Sequence, residues 1–367
     1  MEPLTQALLG ASVARVAAPE LGRRALIWGA LVGMAPDLDV MLAPLHGGYG
    51  ELLYHRGTTH SLWFGLVVGP MLGWLSWRVW DPAGKTALRS WVLVCVLALF
   101  THPLLDWFTP YGTQLLAPFS RMRFALNGVG IIDPFYTGIL AIGLFAPAAL
   151  GLARAAPRRV GIALVLSSLY LVGGVGLNEL ARVDTARALG AAPAEVRVYP
   201  TLLQPFMRRV VARHDDRVWV GWHTTLALGC PFGESFAPPA ATRESALLES
   251  TWQGQMMRWF AMDEVVVHTS DLPDGGAVVE MEDLRYSMPG QPAARSMWGV
   301  RARYDSAGEL VGKVERFRRP PAEETSFAVL GDLTLGRFAR SGLAGSPVGT
   351  CADSIGAKDE AVPPSGP

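Results

Sequence analysis

Charge is what this chain has least of. Asp, Glu, Lys and Arg make up 17% of its 367 residues, and the 32 cations cancel the 32 anions. There is no global basic field to gather nucleic acid, so no nucleic-acid partner is expected. The three cysteines, Cys95, Cys230 and Cys351, lie far apart and outside any C-x-x-C pattern. They point to neither a disulfide framework nor a thiolate zinc site. No G-x-S-x-G elbow is present, which weighs against a serine hydrolase. Ser61 beside His60 does not, by adjacency alone, make a nucleophile–base pair. The opening stretch MEPLTQALLGASVARVAAPELGRR carries an acid and a proline but no cationic n-region. That is a poor signal peptide, and an uncleaved first segment is expected.

Apolar residues are abundant instead. Half the chain is hydrophobic, with 12 Trp and a positive mean hydropathy, too oily for an ordinary soluble enzyme. Apolar runs fall at 25–45, 61–80, 90–108, 131–153 and 160–178. Each is near the ~20 residues that a helix needs to cross ~30 Å of hydrocarbon. Residues 3–18 form a shorter apolar stretch. Small residues four apart, Gly29 and Gly33, then Gly65, Gly69 and Gly73, suit close helix packing in lipid.

Beyond residue 185 the pattern changes to period two with turn signals. RRVVARHDDRVWVGWHTTLAL reads as a hairpin turning at His214–Asp216, and AVVEMEDLRYSM and WGVRARYDSAGELVGKVERF as further strands. RESALLESTWQGQMMRWF reads as a helix packed on that sheet. The expected fold is thus a membrane α-helical bundle of about five spans plus a short N-terminal helix, followed by an extramembranous α+β domain. The membrane domain is expected over 1–180, the α+β domain over 181–334 and a disordered Gly/Pro/Ser/Ala-rich tail over 335–367.

Arg23, Arg24, Arg78, Lys85, Arg89, Arg154, Arg158 and Arg159 fall at one end of these spans, against Arg56, Arg121 and Arg123 at the other. The basic excess marks the cytoplasmic side. Asp37, Asp39, His55, His60, His102, Asp106 and Asp133 then collect at the opposite, outer end, as does any domain that follows five spans. A carboxylate in a transmembrane helix costs several kcal/mol and needs a partner or a water-filled cavity. A divalent cation is such a partner, and Asp and His suit Zn²⁺ and related ions. His102 and Asp106, spaced i, i+4, can point to one side of a helix. Arg56, Arg121 and Arg123 on the same face can fork onto phosphate or carboxylate. Tyr111, Gln114 and Asn127 can add neutral contacts. The His214, His223 and His268 of the second half lack ligand spacing.

These residues carry a resemblance. LTQALLGA, APDLDV, YHRGTTHS, THPLLDWFTPYGTQLLAPFS with RF, and IIDP, in that order, resemble the inner-membrane, metal-dependent hydrolase family of bacteria over residues 1–150. The resemblance implies Asp37, Asp39, His55, His60, His102 and Asp106 as metal ligands. A more distant similarity to zinc-dependent phospholipase C and the P1-type nucleases implies phosphoester hydrolysis. Where many relatives carry Thr-His this chain has Thr5-Gln6, and Gln6 is a poor zinc ligand.

The expected function is a membrane-bound hydrolase with a divalent metal, Zn²⁺ first and Mn²⁺ or Mg²⁺ as alternatives. Metal-activated water would attack a lipid-linked or amphipathic substrate. Asp39 or Asp106 serves as general base where it is not a ligand, and Arg56 or Arg123 holds an anionic group. The rival expectations are an ion-binding transporter and a membrane protein merely stapled by its metal. The bilayer is the expected partner in every case.

Overall fold

The computed structural model describes residues 1–149, 156–289, 291–292, 295–320, 327–337 and 345–348. It resolves into two compact units, Met1–Gly176 with Leu202–Pro205, and Leu177–Thr201 with Phe206–Pro367.

The first unit is helical. Helix α1 (Pro3–Ala17) starts where the Glu2 carboxylate accepts from the Leu4 and Thr5 amides, with Pro3 at the first turn. Both features satisfy or remove amides that a helix N-terminus leaves unpaired. Helix α2 (Arg23–Met34) passes into a 3-10 segment, Ala35–Leu42, where Pro36 cannot supply an amide to the α-helical ladder. Two short helices follow, α3 (Leu45–Gly48) and α4 (Gly50–Tyr54). Helices α5 (Leu62–Trp80) and α6 (Leu88–Trp107) form a hairpin, and α7 (Pro134–Ala149) and α8 (Ala156–Leu189) complete the series.

Glycine decides the helix spacing at two crossings. A Cβ on Gly10 would meet the Gly29 carbonyl oxygen at 2.2 Å, and one on Gly69 would meet Val96 Cα at 2.7 Å. The backbones of α1 and α2, and of α5 and α6, therefore touch directly, as the small-residue spacing predicts. Helix α6 runs through the interior, burying Trp91, Val94, Cys95, Ala98 and Leu99. Helix α5 instead exposes Trp63, Val67, Met71, Trp74 and Val79, an outward face suited to lipid.

Four helical stretches are long and apolar enough to cross a membrane: Arg23–Leu42, Leu62–Trp80, Leu88–Trp107 and Pro157–Leu189. The expected span over 131–153 becomes the 16-residue α7, about 24 Å at 1.5 Å per residue. Its start is delayed by Asp133, which accepts from the Phe135 and Tyr136 amides as an N-cap. At 34 residues, α8 reaches about 51 Å and outruns the ~30 Å hydrocarbon layer.

The second unit holds two antiparallel sheets. One has the order β1 (Val196–Pro200), β2 (Met207–His214), β3 (Arg217–Thr224), β4 (Phe232–Phe236) and β9 (Ser346–Pro347). The other is β5 (Val265–Asp271), β6 (Ala277–Asp283), β7 (Trp298–Tyr304) and β8 (Leu310–Arg318). The β2–β3 hairpin pairs His214 with Arg217 around Asp215 and Asp216, both at positive φ, the geometry of a type I′ turn. The β7–β8 turn falls at Asp305–Gly308, as expected. The single helix expected over RESALLESTWQGQMMRWF is broken at Thr251 into α9 (Arg243–Ser250) and α10 (Trp252–Phe260), because the Thr251 hydroxyl caps the second helix through the Gly254 amide. Helix α11 (Phe327–Thr334) lays Leu333 against Met207, Trp222 and Phe232.

Cys230 is disulfide-bonded while Cys95 is free. This corrects the expectation that the cysteine spacing supports no disulfide, since distance along the chain does not bar pairing in space. Most of the expected tail over 335–367 lies outside the described residues, although Ser346 and Pro347 pair with β4.

Candidate metal centre

The residues that the sequence marks converge where α2 gives way to its 3-10 segment, the 55–60 loop approaches α5, and α6 ends. The 3-10 segment carries Asp37 and Asp39, the loop carries His55, Arg56 and His60, and the last turns of α6 carry His102 and Asp106. Asp37, His60, His102 and Asp106 each offer one ligand atom, all within 4.8 Å of one another. Nε2 of His60 lies 2.9 Å from Nε2 of His102, 3.2 Å from Oδ1 of Asp37 and 3.4 Å from Oδ2 of Asp106. Nε2 of His102 lies 3.4 Å from that Asp37 oxygen and 3.7 Å from that Asp106 oxygen. Four ligands at zinc distances of about 2.0–2.2 Å, arranged tetrahedrally, would have edges of about 3.3–3.6 Å. The set fits such an ion.

The opposite ring nitrogens settle which lone pairs face the cage. Nδ1 of His102 donates to the Gly33 carbonyl at 2.6 Å, an acceptor left over in the last turn of α2. Nδ1 of His60 faces Oδ2 of Asp39 at 3.1 Å. With both protons placed there, two imidazole lone pairs converge on one another and on two carboxylates, and only a cation or shared protons can reconcile them. The second oxygen of Asp37 tells the same story. Asp37 Oδ2 is buried without a hydrogen-bond partner, an arrangement that costs free energy unless something binds there.

Asp39 is differently placed. Its Oδ1 lies 2.7 Å from His55 Nδ1, and its Oδ2 accepts from the Arg56 amide at 3.1 Å and the Thr59 hydroxyl at 2.7 Å. Together with His55 and the far nitrogen of His60 it forms a second His/Asp group. Arg56 reaches this position with φ of 59°, a left-handed conformation rare for a side chain of its size. That curl aims its amide at Asp39 and its guanidinium at Asp106.

The Arg56 guanidinium is buried, with Nε 3.2 Å from Asp106 Oδ2, one terminal nitrogen on the Thr109 hydroxyl at 2.6 Å, and its carbon 4.6 Å from the Tyr111 ring centre. Arg123 flanks the same ring at 5.2 Å, and its terminal nitrogens donate to the Leu52, Tyr111 and Gly112 carbonyls. These contacts tie the segment after α6 to α4; the geometry brings Arg56, and not Arg123, to the cage. Arg121 is exposed. Gln114 donates to the Leu53 carbonyl at 3.1 Å. Asp133 accepts from the Tyr170 hydroxyl at 2.8 Å besides capping α7, and belongs to the helix packing.

Gln6 of α1 is buried, its amide nitrogen 3.1 Å from Oδ1 of Asp106, an oxygen that also pairs with the Met1 nitrogen. Gly33, Thr59 and Thr109 complete the surroundings. Only Thr59 carried a sequence signal, through its place between His55 and His60; a carbonyl acceptor such as Gly33 leaves none.

The family model and one relative name an inner membrane protein, and none of the comparisons names a chemistry. Residues 1–180 match the YdjM inner membrane protein family. The inner membrane protein YbcI of Escherichia coli is 40% identical over 103 residues, 28% of this chain and 57% of that protein. The uncharacterized protein YfhP of Bacillus subtilis is 31% identical over 117 residues, 32% of this chain and 35% of that protein. The chain thus spans about half or less of the curated relatives it matches. No solved structure matches. Residues 1–180, which contain every side chain of the cage, are those that resemble the YdjM inner membrane protein family.

Proposed function

We propose that this protein is a membrane-bound, metal-dependent hydrolase that cleaves a phosphoester or related bond in a lipid-linked or amphipathic substrate. The observation that carries the reading is the four-atom cage of Asp37, His60, His102 and Asp106 with the Arg56 guanidinium against it. A divalent cation held by His60, His102 and Asp106, with Asp37 released and the fourth position open to water, would supply Lewis acidity and a water of lowered pKa, Zn²⁺ first and Mn²⁺ or Mg²⁺ as alternatives. Arg56 offers a buried positive charge to an anionic oxygen of the substrate, where the low dielectric strengthens it. Asp37, largely buried at 15% side-chain exposure and with one oxygen unpartnered, is placed to accept a proton from water when it is not a ligand. Asp39 holds the ring of His60 in the tautomer that turns Nε2 inward.

The rim supports a substrate that comes from the membrane. Leu38, Met41, Trp63, Phe119 and Met122 are all exposed, Phe119 to 81%. They lie on the segments that surround the site, where a water-facing mouth would carry polar residues. Aromatic and large apolar side chains at this level suit the boundary between head groups and acyl chains. The basic excess at the opposite helix ends supports an outer, periplasmic position for the site, and the same side for the C-terminal unit where α7 crosses as a fifth span. The disulfide at Cys230 agrees with an oxidising compartment.

A second reading has one observation in its favour. The cage joins α2's 3-10 extension to α6, so a cation there would also staple those elements. Transport is less favoured, because its groups would line a path and bind near the midplane, whereas these crowd one end. The test is elemental analysis of detergent-purified protein, then a screen of phosphoesters and lipid-linked phosphates with the metal-loaded form. His60→Ala that keeps its fold but loses turnover supports the enzyme; a fold that collapses without turnover ever being detected supports the staple.

A further inference from the structure

The two His/Asp groups share one imidazole, and the number of cations they take follows from its chemistry. Resting on the hydrolase reading above, we propose that the centre takes a single divalent cation, with Arg56 as the second positive charge and the Asp39–His55 pair positioning His60. A neutral imidazole has one lone pair and one N–H. If the His60 lone pair at Nε2 belongs to the cage, Nδ1 carries the proton and donates to Asp39. A second cation on Nδ1 would require the imidazolate, whereas the Asp39 carboxylate beside Nδ1 is placed to hold the neutral N–H.

Asp39 itself has no oxygen to give. Oδ1 is taken by His55, and Oδ2 faces the Arg56 amide, the Thr59 hydroxyl and His60. Two donors, the Arg56 amide and the Thr59 hydroxyl, therefore already occupy the oxygen that a second cation would need, with His60 Nδ1 3.1 Å away. The contrast is with Asp37, whose Oδ2 is buried without a hydrogen-bond partner. That acceptor belongs to the group on the Nε2 side of His60.

The experiment uses the full chain purified in detergent, saturated with Zn²⁺ or Co²⁺ and freed of excess metal by gel filtration. Elemental analysis is expected to find one equivalent per chain in the wild type. It is also expected to find one in His55→Gln and Asp39→Asn, with affinity weakened about 10–100-fold, the usual cost of losing an outer-shell partner. Asp106→Asn is expected to hold far less than one. Co²⁺ should give the spectrum of an isolated tetrahedral ion with no magnetic coupling. Two equivalents in the wild type, falling to one in His55→Gln, overturn this proposal and leave the hydrolase reading standing. No bound metal in the wild type overturns the hydrolase reading itself. If Asp39→Asn does not fold, His55→Gln carries the test alone, because His55 is partly exposed and its loss spares the Asp39 contacts to Arg56 and Thr59.

Discussion

His60 and His102 turn their Nε2 atoms toward each other at 2.9 Å while each ring's other nitrogen faces an acceptor. Two facing lone pairs repel, so the native arrangement is expected to depend on what lies between them. Treatment with a chelator should lower the melting temperature of the detergent-solubilised protein, and Zn²⁺ should restore it. A ligand at a hundredfold its Kd stabilises by about 2.7 kcal/mol. His102→Ala should abolish the zinc-dependent shift. An identical shift in that variant would remove His102 from the ligand set.

The glycines of α5 make a separate prediction about stability. A Cβ at Gly69 would lie 2.7 Å from both Cα and Cγ2 of Val96. Helix α6 would have to move, and α6 carries His102 and Asp106. Gly69→Val is expected to cost about 1–3 kcal/mol by overpacking and to weaken metal retention as well. Gly138, where a Cβ meets nothing within 4 Å, serves as the control: Gly138→Ala should leave both unchanged.

Much of this centre was legible in the chain, and the part that was not has a physical reason. His102 and Asp106 declare themselves by helical spacing, and APDLDV by acids in an otherwise apolar run. Spacing places a residue on a face but does not say which lone pair it turns inward. Hence Asp37 and Asp39, two residues apart, stand alike in sequence, whereas the structure gives one an unpartnered oxygen and the other a full set of donors. Arg56 and Arg123 are also indistinguishable as sequence. The left-handed turn at Arg56 brings one of them to Asp106, and the carbonyls of Tyr111 and Gly112 hold the other. The strands of the second unit were readable from alternation and turn chemistry. The α9–α10 break was not, because Thr251 caps a helix only when the chain before it has already turned.

In the second unit Asp283 and Arg285 form a fully buried pair, with contacts of 2.9 Å to Nε and 2.7 Å to a terminal nitrogen. Removing one partner strands the other charge. Asp283→Ala is expected to cost about 3–5 kcal/mol, and the double variant Asp283→Ala/Arg285→Met less than the sum of the singles. Chemical unfolding of the full chain followed by tryptophan fluorescence measures both. Additive losses would mean that the two charges are not coupled.

Glu264 supplies a pH dependence outside the membrane spans. Burial raises its pKa, against the opposing pull of Arg213 and Arg197. A carboxyl whose folded pKa lies above its unfolded value binds protons more readily when folded. Its contribution therefore favours the folded state at acid pH and fades as pH rises through the raised pKa. Glu264→Gln, which keeps the neutral form at every pH, is expected to gain stability over the wild type at pH 8 and to lose that advantage at pH 4. Equal stabilities at both pH values would show that Arg213 and Arg197 already offset the burial.

The apolar rim separates a substrate drawn from the bilayer from one drawn from water. Phe119 and Met122 are exposed to 81% and 60% on the segment after α6 that also carries Tyr111 and Gln114. An acid at these positions would pull the segment toward water, since a charge in the acyl region costs several kcal/mol. Neither side chain takes part in the cage, so the chemistry should survive. Phe119→Asp with Met122→Asp is expected to raise KM severalfold for a phosphoester presented in vesicles while leaving kcat, and both constants for a short-chain soluble ester, near their original values. Equal losses on the two substrates would mean that the rim shapes the site itself, and unchanged constants on both would mean that the substrate arrives from the aqueous side.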